Sequence, residues 1–572
     1  MEKIKKLRKL IKKYNIDGYL VPKNDEYFLE YLKVDSDRLR FITNFTGSFG
    51  FSIILQKKNY LFVDGRYSQQ AERESGKNFK IVTIPKKMPH QILKKKLILG
   101  YDPKLFNENK LDMFLSKTDS KLVSIQDNLI DLINAKKINN TKKEKIFFLD
   151  KKQAGETQLS KMSKIKEKLK KDRFDLILIT APENLCWLLN LRGRGSEFSP
   201  IANGYLVINN SGKSYLFLKD TGQKRLIEKK VKGISVLGVE KIHEFLRKVK
   251  NKKIRIDRHT CSIFFKRLIS SKNKVVEKID YTYYLKAQKN KTEIINFRKS
   301  HIYDGAALTK FIIWVKKNFN KKKLTEISAE KKLLDIRKKN KHFFSSSFPS
   351  ISASGPNGSI IHYRANKLTN RKLKSGDIYL IDSGGQYKFG TTDVTRTISL
   401  NNSDKNIKKI FTKVLQGHIA VDTFNLKEKT TGDDIDKVAR KPLNSIKLDY
   451  PHGTGHGVGY FLNVHEGPQA ITKKNRVKIK EGMVLSNEPG YYLNNKFGIR
   501  IENLISVKRS KSKLEFETLT LAPIDKDLID KKNLKQKEIN WINDYHKNVF
   551  KKLRKFINKS EMDEFRLLCS NL

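Results

Sequence analysis

Apolar residues first recur at helical spacing in Ile4, Leu7, Leu10, Ile11 and Tyr14, and Gly18-Tyr-Leu-Val21 then runs extended. That pattern predicts a helix followed by a strand. It returns further on, where Met162, Ile165 and Leu169 mark a lysine-rich helix and Phe174-Asp-Leu-Ile-Leu-Ile-Thr180 a strand. Shorter echoes accompany it: Asn44-Phe-Thr-Gly47 with Asn190-Leu-Arg-Gly193, and Tyr60-Leu-Phe62 with Tyr215-Leu-Phe217. The expectation is two copies of one α/β unit across roughly the first 285 residues. A chance likeness of two helix–strand segments is the competing reading. Polar sequence at Asn139-Asn-Thr-Lys-Lys-Glu144 is the expected seam.

From about Lys286 the pattern changes. A long amphipathic helix is expected over 292–318 with Thr292 as N-cap, then a second over Thr325–Lys338. A Ser/Pro/Gly-rich loop leads to an expected short strand, Ile360-Ile-His-Tyr363. Next, Tyr379-Leu-Ile-Asp382 and Asp393-Val-Thr-Arg-Thr397 flank a Gly-rich connection, which predicts an antiparallel hairpin with a long loop. A helical segment is expected near 404–446. Two strands follow, carrying Glu488 and Glu502, and a tail from about Asp525 spaces Trp541, Ile542, Tyr545, Val549, Phe550, Leu553 and Phe556 helically. Such a stripe docks on its own domain more often than on a partner.

Composition changes this picture in one respect. Lys+Arg number 119 against 60 Asp+Glu, a formal charge of +59, which raises the question of nucleic acid. The surplus is mostly lysine, spread along the whole chain, and no basic stretch interleaves regularly with stacking aromatics. The expectation is a solvated lysine surface and no specific nucleic-acid partner. Cys186, Cys261 and Cys569 are far apart and form no CxxC pair, so neither a zinc knuckle nor a disulfide framework is indicated. No run of 18 or more apolar residues occurs, so no membrane span is expected and a cytoplasmic location is the default.

Candidate chemistry is confined to the second half. Ser211-Gly-Lys-Ser214 resembles a phosphate loop but has Val207 where the first glycine belongs. His243-Glu-Phe-Leu-Arg247 has arginine where a zinc-protease helix needs its second histidine. In the hairpin, period-2 alternation sets Asp393, Thr395 and Thr397 on one face, and folding the loop back brings Asp382 near Asp393. Either both aspartates face water, or a divalent cation removes their repulsion. Four glycines around His452 and His456 permit tight turns, and His465 follows nine residues on. His362 is either a packed strand histidine or a site residue. Alternation places Arg500 and Glu502 together, opposite the core residues Ile499 and Ile501, and buried charges of that kind need partners. Four carboxylates and one imidazole (Asp382, Asp393, His456, Glu488, Glu502) would balance two divalent cations, and the oxygen-rich donor set suits manganese, cobalt or iron.

That order of Asp, Asp, His, Glu and Glu resembles the "pita-bread" metallopeptidases. Gly390-Thr-Thr-Asp-Val-Thr-Arg-Thr397, His452-Gly-Thr-Gly-His-Gly-Val-Gly459 and Gly498-Ile-Arg-Ile-Glu502 are most similar to the three-domain cytosolic aminopeptidases P. Asp64-Gly-Arg-Tyr67, Trp187-Leu-Leu-Asn-Leu-Arg-Gly193 and Trp541-Ile-Asn-Asp-Tyr-His546 extend the likeness over nearly the whole chain. The resemblance implies an α/β protein. Two related creatinase-N-terminal-like α/β domains (1–142 and 143–285) would precede an α+β pita-bread catalytic domain (286–524) and a helical tail (525–572). It implies release of the N-terminal residue from peptides with proline second, by attack of hydroxide held between two metal ions, most readily Mn2+. By position, Asp382, Asp393, His456, Glu488 and Glu502 would be the ligands, with Asp393 and Glu502 bridging. Glu488 would double as general base, while His362, His452, His465 and, as a contact to substrate or to Glu502, Arg500 would line the substrate site. A homodimer is also implied. A prolidase-type dipeptidase and a non-catalytic nucleic-acid- or protein-binding member of the fold are the alternatives.

Overall fold

The computed structural model describes residues 2–93, 96–134, 145–321, 323–402 and 404–572. The seam expected at 139–144 lies outside the described residues. The chain forms two compact units, one of residues 1–151 and 156–283, the other of 152–155 and 284–572.

The first unit holds two six-stranded sheets built to one plan. In the first, the order is Lys80–Ile84, Asn59–Asp64, Phe51–Leu55, Gly18–Pro22, Ile98–Tyr101, Lys121–Ser124. In the second, it is Ile234–Gly238, Ser214–Leu218, Gly204–Asn209, Leu176–Ile179, Lys253–Ile256, Lys274–Glu277. Parallel and antiparallel pairings fall at the same places in both. The opening helix Glu2–Lys13 buries Ile4, Leu7 and Ile11, and its counterpart Gln158–Lys171 buries Met162, Ile165 and Leu169. The sequence echo at Asn44 and Asn190 has a local cause. Both residues follow a helix with positive φ, 67° and 50°, where asparagine is better tolerated than most residues. Ser211-Gly-Lys-Ser214 merely closes a hairpin between two strands.

In the second unit the long helix spans Lys291–Asn318, and its cap is Asn290 rather than Thr292. The Asn290 side chain accepts from the Glu293 amide while Glu293 accepts from the Asn290 amide, a reciprocal box that Thr292, with Ile295 three residues on, cannot make. The second helix is Glu326–Lys338 with Thr325 outside it as N-cap. The segment near 404–446 is two helices, Lys405–Asp422 and Gly432–Asn444. Residues 360–363 are not a strand. They form a turn after the 3-10 helix Gly355–Ser359, closed by the Tyr363 amide on the Ile360 carbonyl.

The expected hairpin forms, with Ile378–Ser383 paired to Val394–Ser399 in a three-stranded sheet. Its loop supplies two strands of its own, Gly385–Tyr387 and Gly390–Thr391. A five-stranded sheet orders Glu466–Ile471, Gly455–Gly457, Val484–Asn487, Asn503–Ser510 and Lys513–Thr518, and a ribbon pairs Gly490–Leu493 with Phe497–Arg500. The tail helix Gln536–Leu553 packs Ile542, Tyr545, Val549 and Leu553 into the core that holds Ile499 and Ile501. Each such fully buried aliphatic side chain contributes roughly 1.5–3 kcal/mol. The helix stops at Leu553, which leaves Phe556, expected on the same stripe, 39% exposed.

Two buried histidines of this unit make its stability depend on pH. Burial pushes His418 and His546 down from 6.5 to about 3, and the Arg396 charge adds to the effect. The unfolded chain therefore binds more protons than the folded one between those values, so stability falls as pH drops through that window. Each histidine contributes a slope of about 1.4 kcal/mol per pH unit once pH is below its unfolded value. Urea melts at about pH 7.5 and about pH 5.5 should show a smaller loss in His546→Gln than in the wild type, by about one proton's linkage. Equal losses in the two proteins would contradict this account.

Candidate metal centre

The strand–turn–strand that carries Asp382 and Asp393 places them side by side because their strands pair in register, Asp382 opposite Thr395 and Ser383 opposite Val394. Alternation then turns Thr395 the same way, and its hydroxyl donates to Glu502 Oε2 at 2.7 Å. Glu502 lies in the short break between Phe497–Arg500 and Asn503–Ser510, and Glu488 just past the end of Val484–Asn487. His456 is the middle residue of the strand Gly455–Gly457. Its flanking glycines are required by close backbone approach: a Cβ on Gly455 would stand 1.9 Å from the Ser486 carbonyl oxygen.

The five side chains named from sequence as ligands meet in space. Single donor atoms of Asp382, Asp393 and Glu502 lie within 4.8 Å of one another, as do those of His456, Glu488 and Glu502. A third grouping joins Asp393 and His456 with His465, whose ring centroid is 4.4 Å from that of His456. His456 Nδ1 is 2.9 Å from the Gly457 carbonyl, which can only accept, so Nδ1 carries a proton and Nε2 is turned to the acids. Nε2 is 3.4 Å from Asp393 Oδ2 and 3.5 Å from Glu488 Oε1.

The electrostatics are those of too many anions in too little water. Burial pushes the Asp382 carboxyl up to about 6 even though Arg500 pulls it down. Burial, then the charges of Asp393, Glu488 and Asp382, hold Glu502 well above the usual carboxylate range. Burial also raises Glu488. Burial works against a charged imidazole at His456, yet Asp393 and Glu488 carry it up to about 9. Asp382 Oδ1 is buried with no hydrogen-bond partner among the described residues. Crowded acids, an orphaned carboxylate oxygen and an oriented imidazole suit divalent cations bound through oxygen with one nitrogen.

Arg500 proves to hold Asp382 directly, with Nη2 to Oδ2 at 2.6 Å. It reaches Glu502 only through Thr395, whose hydroxyl lies 3.1 Å from Arg500 Nε. Its Nη1 donates to the Tyr492 hydroxyl at 2.6 Å, and that hydroxyl is 2.9 Å from His452 Nε2. His452 therefore joins the cluster through Tyr492 and Arg500 and belongs to none of the three donor groupings. His362, half-buried in its turn, belongs to none either. Glu466, next to His465, is buried between Lys286, 3.4 Å away, and Lys289.

Sequence reasoning missed several supports. Arg396 donates to the Glu502 carbonyl at 2.7 Å and to Asn503, Ala522, Pro523 and the Tyr545 hydroxyl. Alternation was the available signal, since Arg396 sits between two threonines in a fully buried strand. Asp304 binds Arg337 through both oxygens and accepts from Tyr387 in the hairpin loop. Tyr492 offered no signal, because its contact with His452 joins residues 40 apart in the chain.

Comparison with known proteins agrees with this centre. Residues 296–509 match "Metallopeptidase family M24", and 512–568 match the C-terminal region of that peptidase. Residues 3–133 and 136–293 match the creatinase/prolidase N-terminal domain. The chain belongs to metallopeptidase family M24. It is 37% identical to a probable Xaa-Pro aminopeptidase P of Laccaria bicolor over 96% of this chain and 90% of that protein. It is 36% identical to Xaa-Pro aminopeptidase 1 of Dictyostelium discoideum, over 98% and 94%. The X-prolyl aminopeptidase of Caenorhabditis elegans, described as a cytosolic enzyme with a di-nuclear active site, superposes with a TM-score of 0.92 at 29% identity, over 100% of this chain and 99% of that one.

The repulsion can be measured without turnover. In chelator-treated protein, Glu502→Gln keeps the acceptor for Thr395 and removes one anion, so it should raise stability by about 1–2 kcal/mol. A lower melting temperature than the wild type under those conditions would mean that the acids do not repel as described.

Proposed function

We propose that Asp382, Asp393, His456, Glu488 and Glu502 hold two divalent cations, most readily Mn2+, and that peptides with proline at the second position are cleaved there. The protein is a metal-dependent aminopeptidase that releases the residue ahead of that proline. The observation that carries the reading is the convergence of these acids on one buried point where Asp382 Oδ1 lacks a partner. Asp393, His456 and Glu502 each belong to two of the donor groupings, and of these only the two carboxylates have a second oxygen with which to bridge, which supports Asp393 and Glu502 as the shared ligands. When bound, such cations lower the pKa of water, polarise the scissile carbonyl and stabilise the charge that develops on it.

The chain's own groups do the rest. Glu488, half-buried and raised in pKa, accepts a proton from the attacking water and passes it to the leaving nitrogen. The Ser486 hydroxyl, 2.9 Å from Glu488 Oε1, keeps that carboxylate in place. His465 and His362 hydrogen-bond the carbonyl undergoing attack. His452 lines the substrate site and, with Arg500, steadies Asp382 through Tyr492. An Xaa–Pro bond is a tertiary amide without N–H, so enzymes that grip that N–H lose a contact. A site that acts on the carbonyl does not depend on it.

The division into 1–142, 143–285, 286–524 and 525–572 is proposed with this reading, supported by the four family matches. A cytoplasmic location is supported by the description of the C. elegans relative. Among the described residues no helix is long and apolar enough to cross a membrane. Homodimerisation rests on the family resemblance.

With Mn2+ added, the protein should release the first residue of an Xaa-Pro-Xaa tripeptide faster than it splits an Xaa-Pro dipeptide. Asp393→Ala should lower kcat/KM by about a thousandfold or more with the circular dichroism unchanged. His465→Ala should lower kcat more than it raises KM. Full activity in Asp393→Ala, or turnover of the dipeptide alone, would refute the assignment.

A further inference from the structure

A cavity of about 200 Å³ lies wholly within the N-terminal unit, away from any role assigned above. Its volume equals that of about six or seven liquid waters. Five phenylalanines line it: Phe28, Phe49, Phe51, Phe106 and Phe114. Phe51 stacks on Phe114 with centroids 4.4 Å apart, so this wall is rigid. Two lysines also line the cavity, Lys23 and Lys110.

The two lysines differ in one respect. Lys23 is buried against Asp37 and its charge is answered there. Among the described residues Lys110 has no such partner: its ammonium donates to Asn24 Oδ1 at 3.1 Å and lies 5.6 Å from the centre of the Phe28 ring. Asn24 is held for this contact by its own amide donating to the Leu105 carbonyl, also at 3.1 Å. An ammonium has three donors, and Asn24 takes one. Burial alone pushes Lys110 down to about 8, with no carboxylate acting on it.

Lys110 also sits in the first turn of the helix Glu108–Leu115, whose positive end disfavours a cation. A desolvated ammonium kept in that place gains from an anion brought to it. The third charged residue on the lining is Glu30, which acts on Arg66 beside that residue's ion pair with Asp64. With Lys23 paired to Asp37, Lys110 is the lining lysine held only by a neutral acceptor, and one such cation on a lining that also carries Glu30 favours a monoanion over a phosphate dianion. The walls supply the rest of the specification, since aromatic faces take an apolar or aromatic body.

We infer that this cavity binds a small aryl- or alkyl-substituted carboxylate, its carboxylate on Lys110 and its apolar body among the phenylalanines. The inference goes beyond the peptidase reading and does not depend on it. Lys110→Met keeps the length and apolar volume of the side chain and removes a buried charge, so the variant should fold at least as well as the wild type.

Calorimetry on the full-length protein tests it, with hydrocinnamate as probe and hydrocinnamyl alcohol as a neutral control of the same shape. Hydrocinnamate should bind saturably, the alcohol should not, and Lys110→Met should weaken hydrocinnamate by at least about tenfold. In wild-type protein carrying carbon-13-methylated lysines, hydrocinnamate should raise the titration midpoint of the Lys110 resonance, which keeps the test open if the variant misfolds. The inference is overturned if acid and alcohol bind alike, if Lys110→Met binds hydrocinnamate as tightly as wild type, or if the Lys110 midpoint does not move. Absence of saturable binding below about 10 mM overturns it as well.

Discussion

Four carboxylates gathered around Glu502, with donor atoms of Asp382 and Asp393 on one side and of Glu488 on the other within 4.8 Å of it, are the constraint on which the catalytic unit turns. Burial first, and then their mutual repulsion, raises the pKa values of Asp382, Glu488 and Glu502. Two remedies are built in and a third is implied. Arg500 lends a fixed positive charge to Asp382, and His456 takes up a proton far more readily than an ordinary imidazole. Neither reaches Asp382 Oδ1, and a divalent cation is the chemistry that does.

Holding such a cluster against its own repulsion requires a stiff frame, and the surrounding packing provides one. Arg396 ties the Glu502 backbone to the far side of the sheet and to Tyr545 of the tail helix. The same helix buries Ile542, Val549 and Leu553 in the core beneath Ile499 and Ile501, the neighbours of Arg500 and Glu502. The tail therefore does more than cap the domain: its contacts fix the strand break from which Glu502 projects. Asp304 and Arg337 brace the hairpin loop through Tyr387 in the same manner.

The N-terminal unit follows a different logic, in which one topology is used twice. Its two sheets share strand order and pairing sense, and an asparagine with positive φ occupies the corresponding turn in each. The basic surplus leaves these cores almost untouched. Among the described residues the buried lysines are Lys23, Lys161, Lys286 and Lys289, and the other described lysines are partly or fully exposed.

Periodicity determined the helices, the strands and the duplication, because burial of one face is written directly into residue spacing. The residues of the candidate centre were legible for a related reason: acids and histidines in apolar, glycine-rich stretches are costly, and their presence marks a use. Local boundaries were less so. Thr292 and Asn290 are both good caps, and only the reciprocal bond with Glu293 decides between them. Residues 360–363 have strand composition, yet they turn, with the Tyr363 amide on the Ile360 carbonyl. What tertiary structure alone decided is which distant groups meet: Arg500 with Asp382, Tyr492 with His452, Arg396 with Tyr545. Those partners are separated by 40 to 149 residues, and no spacing rule along a chain encodes a contact that packing creates.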